Sequence, residues 1–393
     1  VNDKGRPVFE GKLDFDREGK ITEFSISQRP ENGPARIWPQ SFQVTLVYPD
    51  KNLVLDVNSN EQTVQIPKAV GLLKPIDILY NSDGYGYGVF PVMKDPKTMP
   101  LISNELARAA AYVNAYEQTL RGKLSRETHF ETLKMGLKSE KNELILNEIS
   151  GQLQNTFWAF PDVNFRNMQA SLLIPIYIEL LERNSPDNLK KVYFHLLKNT
   201  AYTSSGQEKL WAIWSGDVSY QNLKLNDDNY RQLAEMLLLY DHPQRKVLIE
   251  KTKKSIKNPD ELARFEYLLP ALSASAQDRE NYIHSLAKAE NREKESWVLD
   301  GLAYVHHPLR QHASLKYLKQ SLDLLSEVQR TGDIFFPKAW LENGIGQYHS
   351  AEAYQVLEDF LNAHPDYPQN LKNKLLQASD NLRRSAVASE KGE

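Results

Sequence analysis

The sequence predicts a two-part fold, in which a small β-sandwich precedes a large all-α superhelical domain of HEAT or armadillo type. The first part is rich in short segments that alternate apolar and polar residues. The second part repeats apolar residues at helical spacing without a strict sequence period. We place the β-sandwich at residues 1–97, the α-helical solenoid at 98–385 and a polar tail at 386–393.

Five to seven strands are expected within the first part, which fits a small sandwich. Most of the segments end at Gly, Pro, Asn or Asp, the residues that favour turns. The predicted strands are GKLDFD, KITEFSISQ, SFQVTLVYP, KNLVLDVNS, EQTVQIPK, IDILYN and GVFPV.

The stretch NSDGYGYGVFPV at residues 81–92 raises the question of a phosphate-binding loop. A dinucleotide loop needs G-x-G-x-x-G between a strand and a helix, whereas Gly84, Gly86 and Gly88 are spaced one residue short. Three prolines follow and no helical period appears for about ten residues. We therefore predict a β-hairpin around the turn that Asn81 opens, and no phosphate site.

Helices are expected from Met99 onward, about a dozen or more of them, joined by short polar turns. Three entry signals place a capping oxygen ahead of a first turn: Ser185-Pro-Asp, Asn258-Pro-Asp and Ser103-Asn-Glu. Each of the dipeptides His242-Pro, His307-Pro and His364-Pro is expected to mark a break between helices.

Composition excludes several classes of function for the 393 residues. A net charge of −3 gives no electrostatic reason to expect a nucleic acid or anionic membrane partner. The absence of cysteine excludes disulfides, thiolate nucleophiles and cysteine-ligated metals within the chain. No apolar run reaches the roughly 20 residues of a membrane span. Because the chain begins at Val1 without a signal peptide, we expect a piece of something longer.

Several segments, in order, resemble the aminopeptidase N family of zinc metallopeptidases, also called gluzincins. IDILYNSDGYGYGVFPVMKD resembles the last hairpin of that family's small β-sandwich, and ITEFSISQ followed by ARIWPQSFQVTLVYPD resembles earlier strands. ISNELARAAAYVNAYEQTLRGKLS is similar to the first helix of its C-terminal helical domain, with Arg108-Ala109 at the family's Arg-Ala. KVYFHLLKNTAYTSSGQEKLWAIWSG and FLNAHPDYPQNLKNKLLQASDNLRR are similar to segments of bacterial members.

The family's catalytic motifs are missing from this sequence. Members bind zinc through H-E-x-x-H and a later Glu, and grip the substrate amine with G-x-M-E-N. None of the nine histidines belongs to such a motif. The resemblance therefore implies the two C-terminal domains of a larger zinc aminopeptidase, whose catalytic domain precedes Val1 and holds the zinc.

The resemblance also implies a role for the helical part. In the family it encloses a chamber over the zinc domain, and its wall contacts the distal end of the peptide substrate. The peptide-contact candidates are Lys338, Trp340, Lys372 and Lys374, because basic side chains can pair with a C-terminal carboxylate. The alternative is that they are ordinary surface lysines and a packing tryptophan.

The one histidine cluster, YVHHPLRQH at residues 304–312, gives a weak metal signal. His307 and His312 are five residues apart, and Pro308 interrupts the helix between them, so we expect a helix–turn–helix junction. The aromatic groups NTFWAF, LWAIW and FFPKAW are expected in the packing core rather than on a ligand platform. No Ser-based motif or distinctive carboxylate pair supports a separate hydrolase.

The leading hypothesis is a non-catalytic C-terminal region that closes the chamber of an aminopeptidase N-like enzyme, with peptides and the catalytic domain as partners. This chain alone is predicted to be inactive and to bind no cofactor. The alternative is a free-standing α-solenoid scaffold that binds a protein or peptide. Resemblance to bacterial members fits an envelope, periplasmic or secreted parent, although no targeting segment in the sequence indicates a compartment.

Overall fold

A computed structural model describes residues 5–160 and 162–390, and for 387–390 the backbone alone. Six strands come first and the helices follow, which confirms the predicted order of β and α parts. The strands are β1 (Pro7–Phe15), β2 (Ile21–Pro30), β3 (Gln40–Val47), β4 (Asn52–Ser59), β5 (Thr63–Gln65) and β6 (Asp77–Tyr80).

The strands form two three-stranded antiparallel sheets, in the orders β1-β2-β5 and β4-β3-β6. Both sheets supply buried residues to one hydrophobic core, for example Phe9 and Ile26 from the first and Phe42 and Val44 from the second. Phe90 stacks on Phe9 at a centroid distance of 4.6 Å within this core. Alternation of apolar and polar residues thus puts one face of each sheet against the other.

The predicted hairpin at the glycine-rich stretch is wrong in its pairing. The chain does turn where predicted, with Asn81 at φ 54° and Gly84 at φ 70°. The returning residues do not form a strand beside β6; Val89 instead makes an isolated parallel bridge to Val8. The predicted turn is therefore present, but the segment after it pairs with the start of β1 and not with β6.

Seventeen α-helices follow within the described residues. They are α1 (Glu105–Leu120), α2 (Arg126–Ser139), α3 (Glu143–Trp158), α4 (Val163–Glu182), α5 (Asp187–Thr200), α6 (Ser204–Ser215), α7 (Asp227–Leu239), α8 (Arg245–Ser255), α9 (Pro259–Leu272), α10 (Ala276–Ser285), α11 (Glu295–Val305), α12 (Gln311–Asp323), α13 (Leu325–Thr331), α14 (Phe336–Asn343), α15 (Ala351–Ala363), α16 (Gln369–Ala378) and α17 (Asp380–Glu390). Across this described part of the chain, no helix combines the length and apolar character of a membrane span.

The chain divides into two compact units, Val1–Phe157 and Trp158–Glu393. The first unit therefore contains helical residues as well as the two sheets. The α17 helix extends to Glu390, so it includes the first residues of the predicted polar tail, and 391–393 lie outside the described residues.

The helices of the second unit pack in rows. One row, which we call the long row, consists of α5, α7, α9, α11, α14 and α16, each in contact with the next. A second row contains α10, α12, α15 and α17, again in order. Alternate helices thus fall into different rows, and the long row carries most of the polar groups described below.

The predicted helix starts have different capping chemistry. Asn258 caps α9 as predicted, since its side chain accepts a hydrogen bond from the Asp260 amide, with Pro259 in the first turn. At α1 the cap is Asn104 rather than Ser103. At α5 the cap position is Pro186, without a side-chain hydrogen bond, so Ser185 does not cap that helix.

Arg310 joins the carboxyl ends of two helices in the long row. Its Nη1 donates to the Ala271 carbonyl at 2.7 Å and its Nη2 to those of Leu272 at 3.2 Å and Leu239 at 3.4 Å. Because the last carbonyls of a helix lack intrahelical partners and carry partial negative charge, a buried guanidinium stabilises both ends. Arg245 adds a 2.6 Å bond to the Leu272 carbonyl.

Candidate functional site

The glycine-rich loop uses its own amides for internal hydrogen bonds. Gly86 N–H donates to Asn81 Oδ1 at 2.7 Å, and the Asn81 amide donates back to the Gly86 carbonyl at 3.1 Å. Gln40 makes the same two-way contact with Tyr87, at 2.7 and 3.0 Å. The Gly84 and Tyr85 amides bond to the Asn81 carbonyl and Asp83 Oδ1. A phosphate cradle needs free amides, so this geometry supports a structural loop.

Lys338 and Trp340, two of the predicted peptide contacts, lie on α14 of the long row. The Lys338 side chain is exposed and pairs with Glu342 at 3.3 Å. Trp340 is 1% exposed, and its indole N–H donates to the Ser321 carbonyl at 2.9 Å. A peptide could reach this ring only if the packing around α14 opened.

Lys372 and Lys374 lie one row position further, on α16. Lys374 Nζ donates to Gln329 Oε1 at 2.8 Å, so part of its hydrogen-bonding capacity is used by α13. Lys372 is half-buried. The structure thus places all three lysines on adjacent helices of one row, and their contact with a peptide stays a prediction.

The histidine cluster at residues 304–312 is divided among different environments. His306 is fully buried, its Nδ1 lies 2.7 Å from the Tyr348 hydroxyl, and burial lowers its pKa to about 4. His307 Nδ1 accepts from the Leu309 amide at 3.2 Å and caps the short turn at Pro308–Arg310. His312 is exposed on α12. Over residues 5–160 and 162–390, no group of three or more His, Cys, Asp or Glu side chains has the geometry of a metal site.

A buried ion-pair network crosses three helices of the long row, and the sequence did not predict it. Arg264 of α9 donates to Glu235 Oε1 of α7 at 2.7 Å and to Asp300 Oδ2 of α11 at 2.6 Å. The Tyr304 hydroxyl donates to Glu235 Oε2 at 2.6 Å. Arg231 contacts Glu235 from the other side, at 3.8 Å. We call Arg231, Glu235, Arg264, Asp300 and Tyr304 the long-row network.

Burial makes the groups of this network depend on one another and shifts their pKa values. Glu235 is 0% exposed, so each of its carboxylate oxygens depends on the hydrogen bonds it accepts. Desolvation disfavours the Arg264 charge, but Glu235 and Asp300 outweigh it and raise the pKa of the guanidinium above its ordinary value. Burial, reinforced by Glu235, raises the pKa of Tyr304 well above 10.0, which keeps its hydroxyl a donor.

The network continues toward α5 through amide and amine groups. Lys198 Nζ donates to Gln232 Oε1 at 2.6 Å, and Gln232 donates to Asp228 Oδ2 at 2.9 Å. Arg231 also pairs with Asp228 and with Glu261. Burial lowers the pKa of Lys198, and Glu235 and Asp228 oppose the shift. With three cations and four carboxylates, this polar band has a formal charge of −1.

Two histidines beside the network have unusual surroundings. The His195 ring is exposed, with Asn199 Nδ2 2.9 Å from its Nε2, yet desolvation lowers its pKa to about 4. His307 is half-buried, and desolvation followed by Arg310 and Arg166 lowers its pKa to about 3.

This arrangement favours binding over acid–base or nucleophilic chemistry. The carboxylates are paired with cations, and Glu235 is held by donors on both oxygens, so none of these groups is poised to transfer a proton. The exposed His195 imidazole, with the Asn199 amide beside it, remains accessible on α5. Imidazole and amide groups can form hydrogen bonds with a peptide backbone.

The sequence carries one signal that could have pointed to the network. Glu235 interrupts the apolar run LAEMLLLY, four residues after Arg231. A carboxylate inside a buried run is rare unless it is paired, so its position predicts a buried ion pair. The partners on α9 and α11 could not be identified, because they are distant in the chain.

A separate cavity of about 330 Å³ lies between α4, α6 and the segment that follows α6. Its lining consists of three charged residues and of Ile178, Ala212, Val218, Ser219 and Tyr220; the charged residues are Glu182, Glu208 and Lys209. It is distinct from the long-row network, and the peptide-contact lysines do not line it.

No protein-family model matches the chain, and the search of curated proteins found no similar sequence.

Proposed function

We propose that this chain is the non-catalytic C-terminal region of an aminopeptidase N-like zinc metallopeptidase. In this proposal the second unit forms a HEAT-like superhelix whose long row faces the substrate chamber. The parent removes N-terminal amino acids from peptides, and its zinc is held in the catalytic domain. The described residues do not fit a zinc site, so we derive no zinc-dependent step for this chain.

The observation that carries the proposal is the position of the polar groups. The long-row network, His195, His307 and the three candidate lysines all belong to this row or to its immediate turns. The order of the parts supports the family resemblance, since the strands precede α1 and the helical rows follow. A wall that contacts a peptide requires polar groups on adjacent helices, and this row has them.

The first experiment measures catalysis by this chain itself. We expect no turnover of aminoacyl fluorogenic substrates with or without added zinc. Turnover that a chelator abolishes would contradict the non-catalytic assignment.

The second experiment titrates matched peptides that carry either a free or an amidated C-terminus. We expect the carboxylate form to bind more tightly, and Lys338→Ala, Lys372→Ala and Lys374→Ala each to weaken it about two- to five-fold, because exposed ionic contacts contribute about 0.2–1 kcal/mol. Lys246→Ala, on α8 outside the long row, is the control. Equal affinity for both peptides would remove the assigned role of the lysines.

The alternative function is a free-standing scaffold that would bind a peptide or protein through the same long row. The two differ in the parent reading frame, where an upstream H-E-x-x-H is expected for the aminopeptidase. A native start codon near Val1, with no such motif before it, would favour the scaffold.

A further inference from the structure

The β4 strand (Asn52–Ser59) is a long, regular edge of its sheet. In the order β4-β3-β6 it has β3 on one side only. All eight residues pair with β3, from Asn52 opposite Val47 to Ser59 opposite Gln40, without a register shift. Such an edge presents a row of backbone donors and acceptors to any strand of matching length.

The hairpin closure shows which backbone groups point outward. Tyr48 N–H donates to the Lys51 carbonyl at 2.9 Å, so this pair is hydrogen-bonded. Since bonded and non-bonded pairs alternate in an antiparallel ladder, Leu53, Leu55 and Val57 bond to β3. The N–H and C=O groups of Asn52, Val54, Asp56 and Asn58 consequently face away from β3.

In the part of the chain that the structure describes, these outward groups have no backbone partner. Among the described residues, the hydrogen bonds outside the regular ladders include none from Val54, Asp56 or Asn58 backbone atoms. The side chains of Asp56 and Asn58 bond back to β3, at Gln43 Nε2 and Ser41 Oγ, and leave the edge itself uncovered. Val54, in the middle of the strand, is 51% exposed.

The other strands of the two sheets are protected. β1 has a register shift at Asp14/Phe15 and a bridge from Val8 to Val89. β5 has three residues, and β6 has four, with the Tyr80 carbonyl bonded to Asn114 Nδ2 at 2.8 Å. Bulges, short strands and side-chain covers are the usual means of blocking edge pairing, and β4 has none of them.

We propose that the β4 edge pairs antiparallel with β4 of a second copy of this chain. A two-fold axis through Leu55 places Val54 opposite Asp56 of the partner subunit and Asn52 opposite Asn58 of the partner subunit. All four outward residues of each strand are then used, which allows about eight backbone hydrogen bonds. The two sheets join into one six-stranded sheet with closed symmetry.

Charge and the number of paired residues favour the alignment centred on Leu55 over the two alignments that are shifted by one bonded pair. A shift by one bonded pair puts Asp56 directly opposite Asp56 of the partner subunit, and like charges in that position are destabilising. The shift in the other direction leaves Asn58 unpaired. The sequence of β4 is therefore self-complementary in one alignment, which is why we assign a second copy rather than an unrelated strand.

The oligomeric state of the full chain tests the proposal. We expect a dimer by light scattering and sedimentation between low and high micromolar concentration. Val54→Pro removes an outward N–H and leaves the ladder with β3 intact, since proline is tolerated where the edge faces solvent. It should give a folded monomer with an unchanged circular-dichroism spectrum, whereas Val54→Thr should remain dimeric. A monomeric wild type, or a dimeric V54P, would overturn the proposal.

The absence of native cysteine allows a test of register. A Val54→Cys chain mixed with an Asp56→Cys chain should form a covalent heterodimer under oxidation, because bonded pairs lie about 5.5 Å apart between Cα atoms, within disulfide range. Val54→Cys mixed with Asn58→Cys, a diagonal pair about 7–8 Å apart, is the control. A dimer that cross-links equally in both mixtures, or in neither, would place the interface elsewhere.

Discussion

Tyr304 and Glu235 are 69 residues apart in the chain, and the Tyr304 hydroxyl donates a 2.6 Å hydrogen bond to Glu235 Oε2. The same carboxylate accepts from Arg264 at 2.7 Å through its other oxygen. One buried side chain of α7 is therefore bonded to both α9 and α11. This junction therefore joins three helices of the long row through specific hydrogen-bond partners, in addition to their hydrophobic contact.

Replacement of Glu235 by alanine should lower the free energy of unfolding of the second unit by about 3–5 kcal/mol, since it breaks a buried ion pair and removes the acceptor of both Arg264 and Tyr304. Tryptophan fluorescence during urea unfolding is a suitable measurement, because five of the six tryptophans lie in residues 158–393. Asp300→Asn is the matched control; its carboxylate is 42% exposed and should contribute about 0–1 kcal/mol. Equal losses for both variants would show that the junction is not centred on Glu235.

Arg310→Met should destabilise the same unit by roughly 2–4 kcal/mol, because hydrogen bonds from a charged donor contribute about 1.5–3 kcal/mol each and the carbonyls would remain buried. Methionine keeps an unbranched apolar stem and removes the donors together with the positive charge. Arg383→Met, which loses an exposed pair with Asp380 on α17, is expected to change stability by less than about 0.5 kcal/mol. A loss for R310M no larger than for R383M would exclude a capping role for Arg310.

Acid should weaken the first unit through His129. Its ring is 0% exposed, and burial lowers its pKa from 6.5 to about 4. Between these values the unfolded chain binds a proton that the folded unit does not, so stability falls as pH decreases from 6.5 to 4. The expected loss is roughly 3 kcal/mol.

His129→Leu removes this titration and should flatten the pH dependence over that interval. The measurement is the melting temperature of the first unit at a series of pH values, with the exposed His312→Gln as control. A wild-type slope that persists in H129L would assign the acid sensitivity to another group.

Gly88→Ala should lower the free energy of unfolding of the first unit more than Gly19→Ala does, although both glycines have positive φ. At Gly88, with φ 141°, an added Cβ would lie 2.7 Å from the Pro7 carbonyl oxygen, whereas at Gly19 nothing lies within 4 Å. We expect the free energy of unfolding to fall by about 2–4 kcal/mol in G88A, because of backbone strain and overpacking, and by about 1 kcal/mol in G19A. Hydrogen exchange of β1 and β2 measures both. Similar protection in the two variants would contradict the close approach of the loop to β1.

The sequence predicted features that depend on residues close together in the chain. It missed contacts between residues that are far apart in the chain. The three lysines were predicted on one functional surface, and the structure puts them on adjacent helices. Trp340 was grouped with them from the same resemblance, but it fills the core beneath α14. Helical spacing predicts that a residue faces inward or outward, and FPKAW is compatible with either orientation of its tryptophan.

The sequence by itself determined the order of strands and helices, most strand positions and the cap of α9 at Asn258. These features arise from alternation, helical periodicity and the hydrogen-bonding preference of single residues, all of which act within a few positions of the chain. Only the tertiary structure decided that Val89 pairs with Val8, that Glu235 joins Arg264 and Tyr304, and that β4 ends its sheet unpaired. Such partners are chosen by packing between distant segments, where many polar residues have compatible chemistry and only the folded geometry selects among them.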